Sequence, residues 1–313
     1  MPWFHEEGQL SREKVLELTH QAADEALKRI CGNPKHILLL PPDITRAHSG
    51  AGWITEEFYK IFSEHGDVHL IPTLGQHVPH TPEQNKWMFG SIPEEKIHAH
   101  DWREGSKVIG EVPADFVKDV SLGKADWSIP VSLNKMLLEQ KWDLIINIGH
   151  IVPHEVLGFA NHNKNYFIGL GGKEMICASH MMAACCDIEN NLGQLITPLR
   201  ACYNKAEKDY LSYLPDMYFQ VVMAYDENGK LGHTGVYVGD DLDTYLAGAE
   251  ASRKQNVTIV SPLKKSSRLC RVMSFTVPGS LTRRFTVPEW RWLMAVQNHL
   301  CSGTHDQKGN RKR

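Results

Sequence analysis

The sequence contains no uninterrupted apolar run of 18 or more residues, and its opening MPWFHEEGQL has neither the basic segment nor the apolar segment of a signal peptide. These absences predict a protein that does not cross a membrane and works in the cytoplasm. Neither GxGxxG nor GxxxxGK(S/T) occurs, so a dinucleotide fingerprint and a P-loop are both unsupported. The zincin string HExxH is missing as well: HEVLG at 154–158 lacks the second histidine. Seven cysteines make an odd set for a disulfide framework, and Cys177, Cys185, Cys186 and Cys202 lie among apolar residues, which predicts reduced core thiols. Adjacent Cys185 and Cys186 do not form the two-residue-spaced zinc chelate. Internal repeats and low-complexity segments are absent.

What is present suffices for a large core: 313 residues with 42% hydrophobic and 23% charged allow two domains. The net charge of −3 hides an asymmetry. From Lys265 onward there are ten Lys/Arg against two Asp/Glu, which leaves 24 against 35 in residues 1–264. A basic tail of this kind is one route to nucleic-acid binding.

Helical spacing of Val15, Leu16, Leu18, Ala22, Ala26 and Leu27 predicts a first helix over 11–30, with Ser11 as its cap. Apolar runs at 36–40, 67–70 and 143–148 read as strands, the last as the central strand of a parallel sheet. Each is followed by a loop rich in Gly, Pro, His and Asp. In open parallel sheets the ligand crevice lies outside the carboxyl ends of the strands, so the three loops are expected to converge there. Residues 217–225 and 231–237 flank Asp226-Glu227-Asn228-Gly229 and read as a hairpin, residues 241–253 as a helix, and residues 257–260 as the strand opening a second domain.

The first loop offers Asp43, Thr45, Arg46 and His48; an arginine fork with a nearby carboxylate can clamp a carboxylate or phosphate, although an Asp-capped turn has the same composition. The second contains His77 and His80 before Thr81-Pro82-Glu83, a good helix start, and a histidine just before a helix N-terminus is held available as a base. The third carries His150, His154, His162, Lys164 and His180. It also contains the glycines of Gly169-Leu170-Gly171-Gly172, whose backbone could approach an anion closely.

PDITR at 42–46, LGQHVPHTPE at 74–83, HEVLGF at 154–159, a lysine ten residues after His154 and a histidine sixteen after that lysine together resemble the lactate racemase family. The resemblance covers residues 35–265, including GVYVGDDLDTY at 235–245. It implies an α/β fold, with a Rossmann-like parallel-sheet N-terminal domain over 1–253 and a smaller, incomplete α/β domain over 254–313. It also implies reversible hydride transfer that racemises or epimerises a 2-hydroxy acid on a nickel-pincer nucleotide, a pyridinium bisthiocarboxylate mononucleotide. Lys164 would hold that cofactor through a thioamide, Gly171 and Gly172 would cradle it, and His180 would supply nickel's one protein ligand. His77 and His154 would form the acid/base pair, and Arg46 would hold the substrate carboxylate with Asp43 in support. The implied partners are a small 2-hydroxy acid and the cofactor-making enzymes, with no nucleic acid and no membrane. The stretch Ala160-Asn161-His162-Asn163 is bulkier and more polar than the family's serine and glycines, which admits a polyhydroxylated substrate. The competing reading is a non-catalytic hydroxy-acid or anion-binding relative without the cofactor.

From Lys265 the composition turns to Arg, Trp, Cys and Ser without a sustained period. Codons compatible with Lys265 to Ala295, read two bases on, encode a peptide containing PDKAIYRTRMA, which resembles the family's second-domain motif. A slipped reading frame is therefore expected over 266–313, with loss of the second domain and of catalysis.

Overall fold

The structure, a computed structural model, describes residues 3–30, 32–187 and 190–258 and two three-residue strands, Met273–Phe275 and Arg283–Phe285. The reading of residues 266–313 as a frame slip lies outside the described residues, as do residues 259 and 260 of the expected strand at 257–260.

The chain enters through strand Phe4–Leu10 (β1) and helix Arg12–Arg29 (α1), where Ser11 Oγ accepts the Lys14 amide at 3.2 Å as a helix cap. Strand His36–Leu40 (β2), a 3₁₀ turn Ile44–Ser49, helix Ala51–Ser63 (α2) and strand Asp67–Leu70 (β3) follow. Helix Pro82–Phe89 (α3) begins with a capping box in which Thr81 and Gln84 satisfy each other's backbone amides. An antiparallel pair, Ser106–Val112 (β4) and Ile129–Asn134 (β5), brackets helix Ala114–Val120 (α4) and leads to the short helix Lys135–Glu139 (α5). Strand Leu144–His150 (β6) runs into two-residue strands Pro153–His154 (β7) and Gly158–Phe159 (β8), a π-helical turn Asn165–Gly169 and helix Lys173–Cys185 (α6). Helix Pro198–Tyr210 (α7), strands Asp216–Tyr225 (β9) and Leu231–Gly239 (β10), and helix Leu242–Asn256 (α8) complete the unit.

The main sheet has the order β1-β10-β9-β6-β2-β3. Its four strands β9, β6, β2 and β3 are parallel, while β10 and β1 extend it antiparallel, so the expected parallel sheet is the core of a mixed one. The run HILLL in β2 has no polar face because both faces are covered. Ile37 and Leu39 pack with Val15 and Phe58 under α1 and α2; Leu38 and Leu40 pack with Leu133 and Tyr203 on the other side. All seven residues of β6 are buried, which fits its place between two parallel neighbours.

Helix α8 runs to Asn256, so the domain boundary expected at 253 falls inside a helix. Cys185, Cys186 and Cys202 are free thiols, whereas Cys177 is disulfide-bonded, against the expectation of a reduced core. Among the described residues no helix is long and apolar enough to cross a membrane.

Candidate functional site

A cavity of about 430 Å³ opens at the carboxyl ends of β2, β3 and β6, and Asp43, Arg46, His77, His154, Lys164 and His180 all line it. The three loops converge because the parallel register sets their parent strands side by side, Leu39 opposite both Leu70 and Ile146. Gly149 lets the third loop fold back over β6: a Cβ there would lie 2.2 Å from Asn161 Oδ1. Asn161 and His162 then turn with φ of 75° and 59°, in the left-handed region.

Asp43 faces His77 rather than Arg46. Its Oδ2 accepts the His77 Nδ1–H and its Oδ1 accepts the Thr45 hydroxyl. Burial opposes ionisation of Asp43, but the hydrogen bonds from His77 and Thr45 and the charges of His77 and Lys164 hold its pKa below the ordinary value. The carboxylate thereby fixes the tautomer of His77 with the Nε2 lone pair free. The residue directly before the α3 cap is His80, and it is structural: its Nε2 accepts the Ile44 amide at 2.9 Å, and Nδ1 donates to Asn85.

His154 has the opposite tautomer. Its Nδ1 accepts the Val156 amide at 3.2 Å, which leaves the proton on Nε2. Burial, and then the charges of Lys164, Arg46 and His180, push its pKa well below the ordinary value, so the ring is neutral. His180 donates Nδ1–H to the Ile176 carbonyl at 2.7 Å, and this leaves Nε2 as a lone-pair donor. Burial brings its pKa to about 4. Among the described residues no three His, Cys, Asp or Glu gather to hold a metal ion, so a metal at His180 would draw its other ligands from a bound group.

Lys164 makes no hydrogen bond or salt bridge among the described residues, and its neighbours act on it through burial and charge alone. Burial, then the Arg46 charge, lower its pKa to about 8 against the pull of Glu155 and Asp43. An amine in that range is a competent nucleophile near neutrality. Arg46 is likewise destabilised as a cation by burial, and the charges of Glu155 and Asp43 compensate.

Gly171 and Gly172 do not line the cavity. Gly172 donates its amide to Ser132 Oγ at 3.0 Å, and the Gly171 carbonyl accepts from His100 Nε2 at 3.0 Å. A Cβ on Gly171 would lie 2.0 Å from the Phe167 carbonyl and one on Gly172 2.4 Å from Ser106 Oγ. Close approach to the π-helical turn at Gly171 and to the serines of β4 and β5 at Gly172 accounts for these glycines, which lie outside the cavity where the cradle was expected. The glycines at the cavity are Gly75, Gly149 and Gly169. Of the polar stretch after Phe159, only Ala160 and Asn161 reach the cavity; Asn163 binds Arg200, Asn204 and Glu207, and His162 stacks on Tyr218 with ring centroids 4.3 Å apart. Glu155 is a lining residue that sequence reasoning missed, although its place directly after His154 marked it.

Two solved structures are similar in fold. A crystal structure of a protein from Thermotoga maritima superposes with a TM-score of 0.70 at 24% identity, over 82% of this chain and 62% of its own. The lactate racemase apoprotein from Thermoanaerobacterium thermosaccharolyticum gives 0.52 at 21% identity, over 74% of this chain and 54% of its own. The chain thus spans less than two thirds of either. Among curated proteins none matches it. The family model for the lactate racemase N-terminal domain matches residues 8–192, a stretch that contains every cavity residue named above and more than half of the sequence, and the chain belongs to that family.

Proposed function

We propose that this chain forms the cofactor- and substrate-binding part of a nickel-pincer nucleotide-dependent racemase or epimerase of a 2-hydroxy acid. The observation that supports it most is the pairing of an unpartnered Lys164, its pKa near 8, with a neutral His180 whose Nε2 is free, both on one cavity. These two suit the group: an amine ready for a covalent link and one imidazole to complete the coordination of a metal that brings its own sulfur ligands. When bound, the group would accept a hydride from the substrate carbon and return it.

The side chains of the chain supply the proton chemistry. Arg46 offers its fork to the substrate carboxylate. His77, held by Asp43 with its Nε2 free, accepts the proton of the 2-hydroxyl. His154, the other member of the pair, is neutral with its one proton on Nε2 and offers a hydrogen bond to the substrate oxygen, while the proton that His77 has taken up is the one restored to that oxygen. The proposed partners are the 2-hydroxy acid and the enzymes that make the cofactor.

The test is co-expression with cofactor-making enzymes, followed by intact mass and nickel analysis. A mass addition mapping to Lys164 with one nickel per chain is expected, and both should vanish in Lys164→Ala. A chain that stays unmodified yet binds hydroxy acids would replace this reading with the anion-binding one.

A further inference from the structure

Two imidazoles on the cavity wall have no part in the chemistry above. His150 closes β6 and is 3% exposed; neither of its ring nitrogens has a hydrogen-bond partner. His48, on the 3₁₀ turn two residues after Arg46, meets it edge to face with centroids 5.6 Å apart and an interplanar angle of 81°. His48 is bonded to the Thr45 backbone and leaves Nε2 buried and unpartnered. Both line the cavity. Buried polar atoms are nearly always hydrogen-bonded, and leaving three on one wall is costly unless a ligand meets them. The nearby His233 is not available: its Nε2 donates to the Ser49 carbonyl at 2.8 Å.

We infer that His48 and His150 form a recess that binds the substrate's carbon chain beyond C2 and selects a 2-hydroxy acid carrying further hydroxyl groups, an aldonic acid, over an alkyl one. This rests on the reading of Arg46 as the carboxylate anchor, since the recess lies beside it.

The donor and acceptor count carries the choice of ligand. Burial, reinforced by the Arg46 charge, lowers the pKa of each ring, so both are neutral. A neutral imidazole offers one N–H and one lone pair. His48, with Nδ1–H directed to the Thr45 carbonyl, presents a lone pair; His150 presents one of each. Two acceptors and one donor match hydroxyls, which both donate and accept. They match a second carboxylate poorly, since a carboxylate only accepts, and an alkyl chain would leave all three nitrogens unsatisfied.

Isothermal titration of the full chain with gluconate, 2-hydroxyhexanoate, lactate and malate tests this. Gluconate and 2-hydroxyhexanoate have the same number of carbons and differ in their distal hydroxyls. Gluconate is expected to bind roughly tenfold or more tightly than 2-hydroxyhexanoate. That ratio should fall toward one in His48→Leu and in His150→Phe, with circular dichroism and the denaturant midpoint reporting that each variant is folded. If His150→Phe does not fold, the half-buried His48 position carries the comparison. Equal affinity for the two six-carbon acids, a preference that survives His48→Leu, or malate binding tightest of all would each overturn the inference. Binding of none of the four would overturn it too. The parent reading is judged separately, by nickel and by mass at Lys164, and does not depend on which acid binds.

Discussion

Lys164 and Arg200 are two cations set into the same wall, one facing the cavity and the other behind it. Arg200 is 1% exposed and both its terminal nitrogens are fully bonded, only Nε lacking an acceptor: its NH1 donates to the Asn161 carbonyl and Asn163 Oδ1, and its NH2 to the Phe159 carbonyl and the Tyr245 hydroxyl. Its guanidinium also lies 4.5 Å from the Tyr245 ring centroid. Lys164 has nothing comparable. The difference separates scaffold from site: the satisfied charge holds the loop between His154 and Lys164 in place, and the unsatisfied one is left for chemistry. Arg200→Met should therefore have the largest effect on stability. It leaves the Asn161 carbonyl and Asn163 Oδ1 without the donors that Arg200 supplies, the Phe159 carbonyl keeping the Tyr245 hydroxyl, and a loss of about 3–5 kcal/mol is expected in urea unfolding. A variant within a few tenths of wild type would remove Arg200 from the scaffold.

Lys164 should behave in the opposite way. A lysine whose folded pKa is near 8 and whose unfolded value is near 10.5 binds more protons unfolded than folded between those values, so its contribution to stability improves as pH rises through that window. The stability of wild type relative to Lys164→Met should rise by about 2–3 kcal/mol between pH 7 and pH 10. The rate of amine acylation at Lys164 should reach half its plateau near pH 8, well below the pH at which surface lysines do so. A flat pH difference between the two proteins would mean that Lys164 has a partner after all.

The same contrast explains what the sequence revealed. Strands β2 and β3 were legible to the residue, because apolar runs ended by Pro and Gly are local signals, and so were the caps at Ser11 and Thr81. Strand β1, FHEEGQL, was not: as an exposed edge strand it needs no apolar face. The β4–β5 excursion also escaped notice. At the site, the residues that converge are those whose loops follow parallel strands, and topology alone predicted that meeting. Gly171, Gly172, Asn163 and His162 went astray because their partners are remote. Arg200 lies 37 residues from Asn163, and Ser132 40 residues from Gly172. Asp43 reads in sequence as a support for Arg46, and its charge does act on that cation, but its hydrogen-bond partner His77 is 34 residues away on another strand's loop and leaves no local signal.

His162 shows how a residue can pass from one side of the comparison to the other. It looks like a site histidine in sequence, yet it is sandwiched by Tyr218 and Tyr245. Burial, partly opposed by Glu207, sets its pKa to about 4. The unfolded chain takes up its proton below about 6.5 and the folded one only near 4, so stability is lost as the pH falls through that interval. Relative to His162→Phe, wild type should lose about 2 kcal/mol between pH 7 and pH 5, measured by denaturant midpoints at each pH. An equal acid response in both proteins would return His162 to the list of site residues.

The smallest effect concerns how the second loop delivers His77. Thr81 caps α3 through Gln84, and the same helix start holds His80, whose Nε2 receives the Ile44 amide from the loop bearing Asp43. The cap therefore joins the two loops whose tips meet as His77 and Asp43. Thr81→Ala should cost about 1 kcal/mol of stability. If the cap acts only on α3, hydroxy-acid affinity will be untouched. If it positions the His77–Asp43 pair, the affinity change will exceed what the lost stability explains, because a folded fraction above nine tenths binds as wild type does. Measuring both quantities on the one variant decides whether the second loop is scaffold, like Arg200, or an adjustable part of the site, like Lys164.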